Sequence, residues 1–348
     1  MKTFTHAGGY ALNNGKEVTI REVAKHAGVS IATVSRCLNN SGYIDEETAS
    51  KVRTAVDALE YRPNRIAQGL KTRRSRQIIM IVPDICNPFY SNMYKAVQEF
   101  VHDKGYSAIL YNTNEKMEEE LTAVKMIKDI NADGVLFCSV NTYENVLREL
   151  ESAGKPVTVI NSYEKCPFDT VHSLKCSGVY ITARYLIESG YKNLAYAGGL
   201  KESAINQSRK QGFAKALFEE HIPVKEDYCF EMGFSMDAGY KAGRYFSTLK
   251  PLPDAICAAN DLIAMGIIQA FNECGIRIPE DVSLTGMDNI EYAELSRPGL
   301  TTVTNNPVEY GKTASRLLFD RIEGRYDGGP REVDIKRELI IRNSVRKL

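Results

Sequence analysis

The 348-residue sequence predicts a small all-α head carrying a helix-turn-helix, followed by an α/β body of two Rossmann-like subdomains. Three observations predict it. Near the start, two short amphipathic segments flank a glycine where a tight helical turn fits. From Gln77 onward, short apolar runs alternate with amphipathic stretches of helical length. Charge is also divided unevenly: twelve bases face seven acids between Lys16 and Arg76, a net +5, whereas 31 bases face 37 acids after Arg76, a net −6.

A basic head on an acidic body points the first 76 residues toward nucleic acid, because Lys and Arg neutralise phosphate. Taken alone, that surplus suits a solvated surface equally well. With 43% hydrophobic and 25% charged residues, and no apolar run approaching the ~20 residues a bilayer demands, the composition excludes a membrane protein. The opening stretch lacks an apolar export core, so residues 1–16 read as a flexible tail and the expected location is the cytoplasm. The eight cysteines are scattered, without a C-x-x-C pair or a His at ligand spacing, and read as reduced thiols; no metal and no cofactor are expected.

In the head, Ile20, Val23, Ala24 and Ala27 recur at helical spacing and form one apolar stripe. Gly28 permits a sharp bend, Val29 plugs the corner, and Ser30 is a good N-cap for a second helix. That helix turns Val34, Cys37 and Leu38 inward and Ile31, Ala32, Ser35, Arg36 and Asn39 outward. A third helix starts at the Asp45 cap, buries Ala49, Val52, Val56 and Leu59, and ends before Pro63.

The string V-T-I-x-x-V-A-x-x-A-G-V-S-x-x-T-V-S-R-x-L-N, beginning at Val18, and Y-R-P-N-R-I-A-x-x-L, beginning at Tyr61, resemble the signature of the LacI/GalR family of bacterial repressors. The resemblance implies that the second helix enters the major groove. It places Ile31, Ala32 and Arg36 at base-reading positions and Thr19, Ser30, Thr33, Ser35 and Asn39 at phosphate-gripping ones. Arg36 has the fork to chelate guanine, whereas Ile31 and Ala32 offer apolar contact only, so specificity should lean on Arg36.

Residues 63–76 read as a hinge. Asn64 caps a segment, RIAQGL, of about a turn and a half, too short to be helical alone, and Gly69 weakens it further by about 1 kcal/mol. The resemblance implies that two such segments pair in a dimer against the minor groove, with Leu70 wedged into a base step and Ala67 permitting close approach. Lys71, Arg73, Arg74 and Arg76 would then lead out over the DNA backbone.

The body shows apolar runs IIMIVPD, SAILYN, GVLFCS, PVTVIN, NLAYAGG, DYCFEM, AICAAND and VSLTGMD, too many strands for one sheet. It is similar to the periplasmic sugar-binding proteins of type I, which implies two lobes joined by three crossovers. The expected partition is a helix-turn-helix domain at 17–62, the hinge, and a core at 77–348. Within the core, an N-subdomain covers about 77–173 and 306–335, and a C-subdomain about 174–305 and 336–348. Polar residues stand at the strand ends, where open α/β sheets bind ligands. By their own chemistry and by the similarity of NPFY, INQSRKQGF, NDLIAMG and GMDN to family pocket segments, Asn87, Phe89, Tyr90, Asn161, Arg209, Asn260 and Asp288 are the candidate effector-binding residues. Asp261 is set aside as a cap of the following helix.

No strand is followed by G-x-G-x-x-G, and no P-loop, nucleophile elbow or H-E-x-x-H occurs, so a nucleotide-dependent sugar-metabolising enzyme is a distant alternative. The reading is a repressor that binds a pseudo-palindromic operator in double-stranded DNA as a homodimer, controlled by a small effector, a sugar or sugar derivative. A phosphorylated carrier protein as corepressor is the alternative. No heptad tail follows the last strand, expected to end near Val345, so a coiled-coil tetramer is not expected. Leu70→Ala should weaken specific operator binding roughly tenfold or more while nonspecific DNA binding barely moves; titration of matched and scrambled duplexes checks this, and equal losses refute the wedge.

Overall fold

The computed structural model describes residues 18–39, 42–62, 74–141, 143–161, 166–173 and 177–348. The chain divides into two compact units, parting after Arg73. The hinge residues Asn64, Ala67 and Leu70 lie outside the described residues.

The first unit holds three helices, α1 (Ile20–Ala27), α2 (Ile31–Asn39) and α3 (Glu46–Ala58). Gly28 ends α1 in the left-handed conformation, φ 67°, which a side chain resists, and the Val29 amide then donates to the Ala24 carbonyl. Ser30 caps α2 by accepting the Thr33 amide at 3.1 Å, and Asp45 caps α3 by accepting the Thr48 amide at 2.9 Å. Val23, Ala24, Val34, Ala49, Val52 and Ala55 are buried, while Ile20, Cys37, Leu38, Val56 and Leu59 close around them half-exposed. The third helix stops at Ala58, short of Pro63: the chain turns over at Glu60, whose φ is 47°.

The second unit contains two six-stranded sheets. The first comprises β1 (Gln77–Val82), β2 (Ser107–Asn112), β3 (Gly134–Cys138), β4 (Val157–Ile160), β5 (Asp169–His172) and β11 (Glu332–Asp334), ordered β11-β5-β4-β3-β1-β2 and parallel throughout. The second comprises β6 (Leu194–Gly198), β7 (Cys229–Glu231), β8 (Ala255–Ala258), β9 (Ser283–Asp288), β10 (Thr301–Thr304) and β12 (Glu338–Ile340), ordered β12-β10-β9-β8-β6-β7. Only β12 runs antiparallel among these pairings. The last strand therefore ends at Ile340, not near Val345.

Helices cover both faces of the first sheet. Ile78, Met80 and Val82 pack with α4 (Pro88–Asp103) and α12 (Pro307–Ile322), while Ile79 and Ile81 pack with α5 (Met117–Asp129) and α6 (Glu144–Ser152). That two-sided burial explains why β1 reads as an unbroken apolar run. The second sheet is covered by α7 (Gly178–Glu188), α8 (Ala204–Glu219), α9 (Met236–Phe246) and α10 (Asp261–Cys274), with the short α11 (Glu291–Leu295) beside them. The chain passes between the sheets after β5, after β10 and after β11, making two lobes with three crossovers.

At the entry to this unit, Arg74 does not lead away freely: its guanidinium donates to the Ile322 carbonyl at 3.0 Å. Asp133 accepts from the amides of Ser75 and Arg76, both at 3.0 Å, and holds Arg76 in a left-handed conformation. At the start of β5, buried Asp169 accepts from Arg321 and Arg331, each at 2.7 Å at the shortest. Burial pushes the Asp169 carboxyl up, but the hydrogen bonds from the two guanidiniums outweigh it and hold the group below its ordinary value. Asp169→Ala leaves Arg321 without its carboxylate partner and Arg331 with Asp320 alone, at 2.9 Å, and should destabilise this unit by about 3–5 kcal/mol at neutral pH. Because the folded carboxyl titrates low, the stabilisation is present above the ordinary carboxylate range and should fade as pH falls through the depressed value, narrowing the gap between variant and parent in urea titrations.

Candidate functional site

The carboxyl ends of the two sheets face one cleft within the second unit. From the first lobe come Asp84 after β1, Asn87, Phe89 and Tyr90 at the start of α4, Glu115 after β2, Val140 after β3 and Asn161 after β4. From the second come Ile205 and Arg209 on α8, Phe234 after β7, Asn260 after β8 and Asp288 at the end of β9. Together they line one narrow cleft, whose free space, open solvent included, is about 420 Å³.

All seven candidates from the sequence reading line this one cavity. Their roles in holding it differ. Asn87 caps α4 through its Oδ1, which accepts the Phe89 amide at 3.0 Å, so the first turn presents Phe89 and Tyr90. Asn260 spends both ends of its amide on the protein: Oδ1 accepts the Ile263 amide and Nδ2 donates to the Phe234 carbonyl, each at 2.8 Å. It thereby caps α10 and holds the Phe234 backbone in place. Asn161 and Asp288 both have left-handed backbones, φ 63° and 112°, which bend the chain at their strand ends.

Arg209 is oriented from two sides. Its Nη1 donates to the Ala259 carbonyl at 2.8 Å, and its guanidinium carbon lies 5.3 Å from the centre of the Phe234 ring. Burial pushes the Asp288 carboxyl up, opposed by the charge of Arg209, a hydrogen bond from Asn305 at 2.7 Å and the charge of Arg337. Arg337 in turn donates to Asn305 Oδ1 at 2.8 Å. This chain of contacts ties two of the crossovers to the cleft. Burial also raises Glu115, reinforced by the neighbouring Asp84 carboxylate, and drives the Tyr90 phenol far up.

Phe234 and Glu115 are absent from the sequence-derived set. An aromatic residue following a strand is the only signal for Phe234, and Glu115 sits in a polar turn, NTNEK, that looks like any other. Asp261 does not cap α10; Asn260 does. Asp261 is fully buried, accepting from Thr302 Oγ1 at 2.6 Å and the Ile290 amide at 2.9 Å, and burial followed by the nearby Asp288 pushes its carboxyl well up.

In the first unit, the outward face of α2 carries Ile31, 44% exposed, with Ala32 and Arg36 also exposed and Thr33 and Ser35 half-buried. Ser30 and Thr33 share a hydroxyl hydrogen bond of 2.9 Å. Thr19 precedes α1, its amide and hydroxyl both donating to Glu22. Asn39 closes α2; its side chain lies outside the described residues. Among the described residues, no group of His, Cys, Asp and Glu is placed to hold a metal ion, and no helix is long and apolar enough to cross a membrane.

The family described as "Bacterial regulatory proteins, lacI family" matches residues 19–64, and that described as "Periplasmic binding protein-like domain" matches 183–345. The HTH-type transcriptional repressor PurR of Vibrio campbellii is 32% identical over 332 residues, which span 95% of this chain and 99% of that protein. The chain belongs to the lacI family. Its lacI-family relatives are transcriptional repressors rather than enzymes. A solved transcriptional regulator CelR–cellobiose complex aligns over 94% of this chain and all of that one, at a TM-score of 0.71 and 27% identity. The lac repressor dimer bound to operator and the anti-inducer ONPF shares the lacI-family fold at a TM-score of 0.83, covering 94% and 99% of the two chains at 24% identity.

Proposed function

We propose that this lacI-family chain is a cytoplasmic repressor that reads a pseudo-palindromic operator as a homodimer and takes a carbohydrate effector in the cleft between its lobes. The single observation that carries the effector reading is the convergence of residues from both lobes, on separate segments of chain, around one polar cleft with aromatic walls. CelR, at 27% identity, is described in complex with cellobiose, which supports the sugar class.

The lining chemistry narrows that class. Asp84, Glu115 and Asp288 place three carboxyls around one guanidinium, Arg209. Carboxylates accept hydrogen bonds from vicinal hydroxyls and repel phosphate. The cleft therefore favours an uncharged sugar or polyol over a sugar phosphate, with Phe89, Tyr90 and Phe234 offering faces for the ring. Asn87, Asn161 and Asn260 complete the polar rim.

For DNA, the proposed partition is 17–62 for the reading head, 63–76 for the hinge and 77–348 for the core. Ile31, Ala32 and Arg36 are assigned to base edges. Thr19, Ser30, Thr33, Ser35 and Asn39 are assigned to phosphates, Leu70 to the central base step, and Asn64 and Ala67 to the hinge helix. The exposure of Arg36, with Ile31 and Ala32 on the same face, supports this assignment. An effector changes operator affinity only through its different affinity for two lobe arrangements, so a hundredfold change needs about 2.7 kcal/mol of coupling.

Two measurements test the reading. In gel shifts across single-base operator variants, Arg36→Ala should relax preference at one base pair per half-site, a loss of about 1–3 kcal/mol there; uniform weakening across all sequences would reduce Arg36 to a phosphate contact. In a thermal-shift screen of sugars, polyols, sugar phosphates and purines, a neutral sugar should raise the melting temperature, and Arg209→Ala or Asp288→Asn should abolish that response without touching effector-free DNA binding. Stabilisation by sugar phosphates or purines alone would overturn the assigned class.

A further inference from the structure

Helix α8 carries Arg209 in its second turn, and its first turn is completed by the other lobe. The opening amides of a helix have no partner within it. Here the Ala204 amide donates to Asn141 Oδ1 at 3.2 Å and the Ile205 amide to the Val140 carbonyl at 3.3 Å. The Ser203 hydroxyl donates to the same Val140 carbonyl at 2.9 Å. Val140 and Asn141 follow β3 in the first lobe, whereas Ser203 to Ile205 belong to the second. Ser203 caps α8 from within its own lobe by accepting the Asn206 amide, and the two amides before that one are satisfied across the lobes.

The shape of that loop is set from behind. Ser139 Oγ accepts the Asn141 amide at 3.0 Å and donates to Glu120 Oε1 at 2.5 Å. Asn141 Nδ2 donates to the Tyr143 hydroxyl at 2.9 Å. Glu120 belongs to the first turn of α5, is 1% exposed, and its Oε2 has no hydrogen-bond partner among the described residues.

We propose that Val140 and Asn141 form a latch closing the first lobe onto α8, and that Glu120, acting through Ser139, is the positioning residue that keeps the latch in shape. The latch stands on contacts within the body and requires no assumption about what the cleft binds. Its consequence for the cleft follows from the helix: Arg209 moves with the turn that the latch holds.

Burial pushes the Glu120 carboxyl up to about 7, only partly offset by the hydrogen bond from Ser139. The titratable groups that sense its charge are the Cys138 thiol on β3 and the Tyr143 phenol ahead of α6, the latter also sensing Glu118. No cation among the described residues contributes to its titration. Below pH 7 the acid is neutral and the arrangement is compatible with burial. Above it, an ionised carboxylate has one hydroxyl donor, and hydration requires the loop to move. A group whose value is raised in the closed arrangement favours that arrangement at low pH and loses it, by about tenfold for each pH unit, as pH rises from the ordinary carboxylate value to the raised one, above which the loss is complete.

Hydrogen exchange of the purified full-length protein without ligand tests this, with rates corrected for intrinsic exchange at pH 6.0 and 8.5. In the parent, protection of the Ala204 and Ile205 amides should fall roughly tenfold between the two conditions, the change coming between pH 6.0 and the raised value, while later turns of α8 stay unchanged. Glu120→Gln, a neutral isostere, should retain protection at both pH values. Asn141→Ala should lose Ala204 protection at both. Protection independent of pH in the parent, which needs no variant to fold, overturns the role of Glu120, as does a Glu120→Gln profile that matches the parent. Unchanged protection in Asn141→Ala overturns the latch itself.

Discussion

The constraint on which the body depends is that each sheet must be covered on both faces. A strand such as β1, with Ile78, Met80 and Val82 directed to one helical layer and Ile79 and Ile81 to the other, leaves no polar position beyond its first residue, Gln77. Function is displaced to the strand ends, where the chain turns toward a helix and side chains reach open space. Asn87, Asn161, Asn260 and Asp288 all stand at such exits. Their recurrence as caps and left-handed turns follows from the same geometry, because the residue that ends a strand must often also start a helix.

That double duty gives the cleft its stiffness. Asn260 contributes little free hydrogen-bonding capacity, since both ends of its amide are occupied, but it fixes the Phe234 backbone, and Phe234 in turn faces Arg209. Asp288 is similarly bound into Asn305 and, through it, Arg337, both on segments that cross between lobes. A ligand that changes the surroundings of Asp288 therefore acts on groups whose positions depend on how the lobes are disposed. This is the kind of differential contact that lets a small molecule bias one arrangement over another. The latch at Val140 and Asn141 adds a second contact to the same helix that carries Arg209.

Much of this was legible in the residues. The three helices of the head follow from a 3.6-residue apolar period, two side-chain caps and one glycine at a left-handed turn, all local signals. The eight strands predicted in the body follow from apolar runs, most of them fully buried, though β2 and the three-residue β7 are only half-buried. Four further strands were not visible as strands. Thr301–Thr304 is all hydroxyls and one valine, Asp169–His172 has an acid and a histidine at its ends, and Glu332–Asp334 and Glu338–Ile340 are three-residue edges in charged surroundings. Their burial or pairing comes from neighbours distant in the chain, so no local pattern announces them.

The sequence by itself determined the family, the order of elements and the polar residues that collect around the cleft, because helix periods, caps, turns and motifs are short-range properties of the chain. Tertiary structure alone decided which of those polar groups are free and which are spent: Asp261 buried against Thr302, Asn260 consumed as a cap, Glu115 and Phe234 brought into the lining, Glu120 sealed behind an interlobe contact. The reason is physical. The charge state and availability of a side chain depend on desolvation and on partners supplied by other segments, and neither is encoded within the few residues on either side of it.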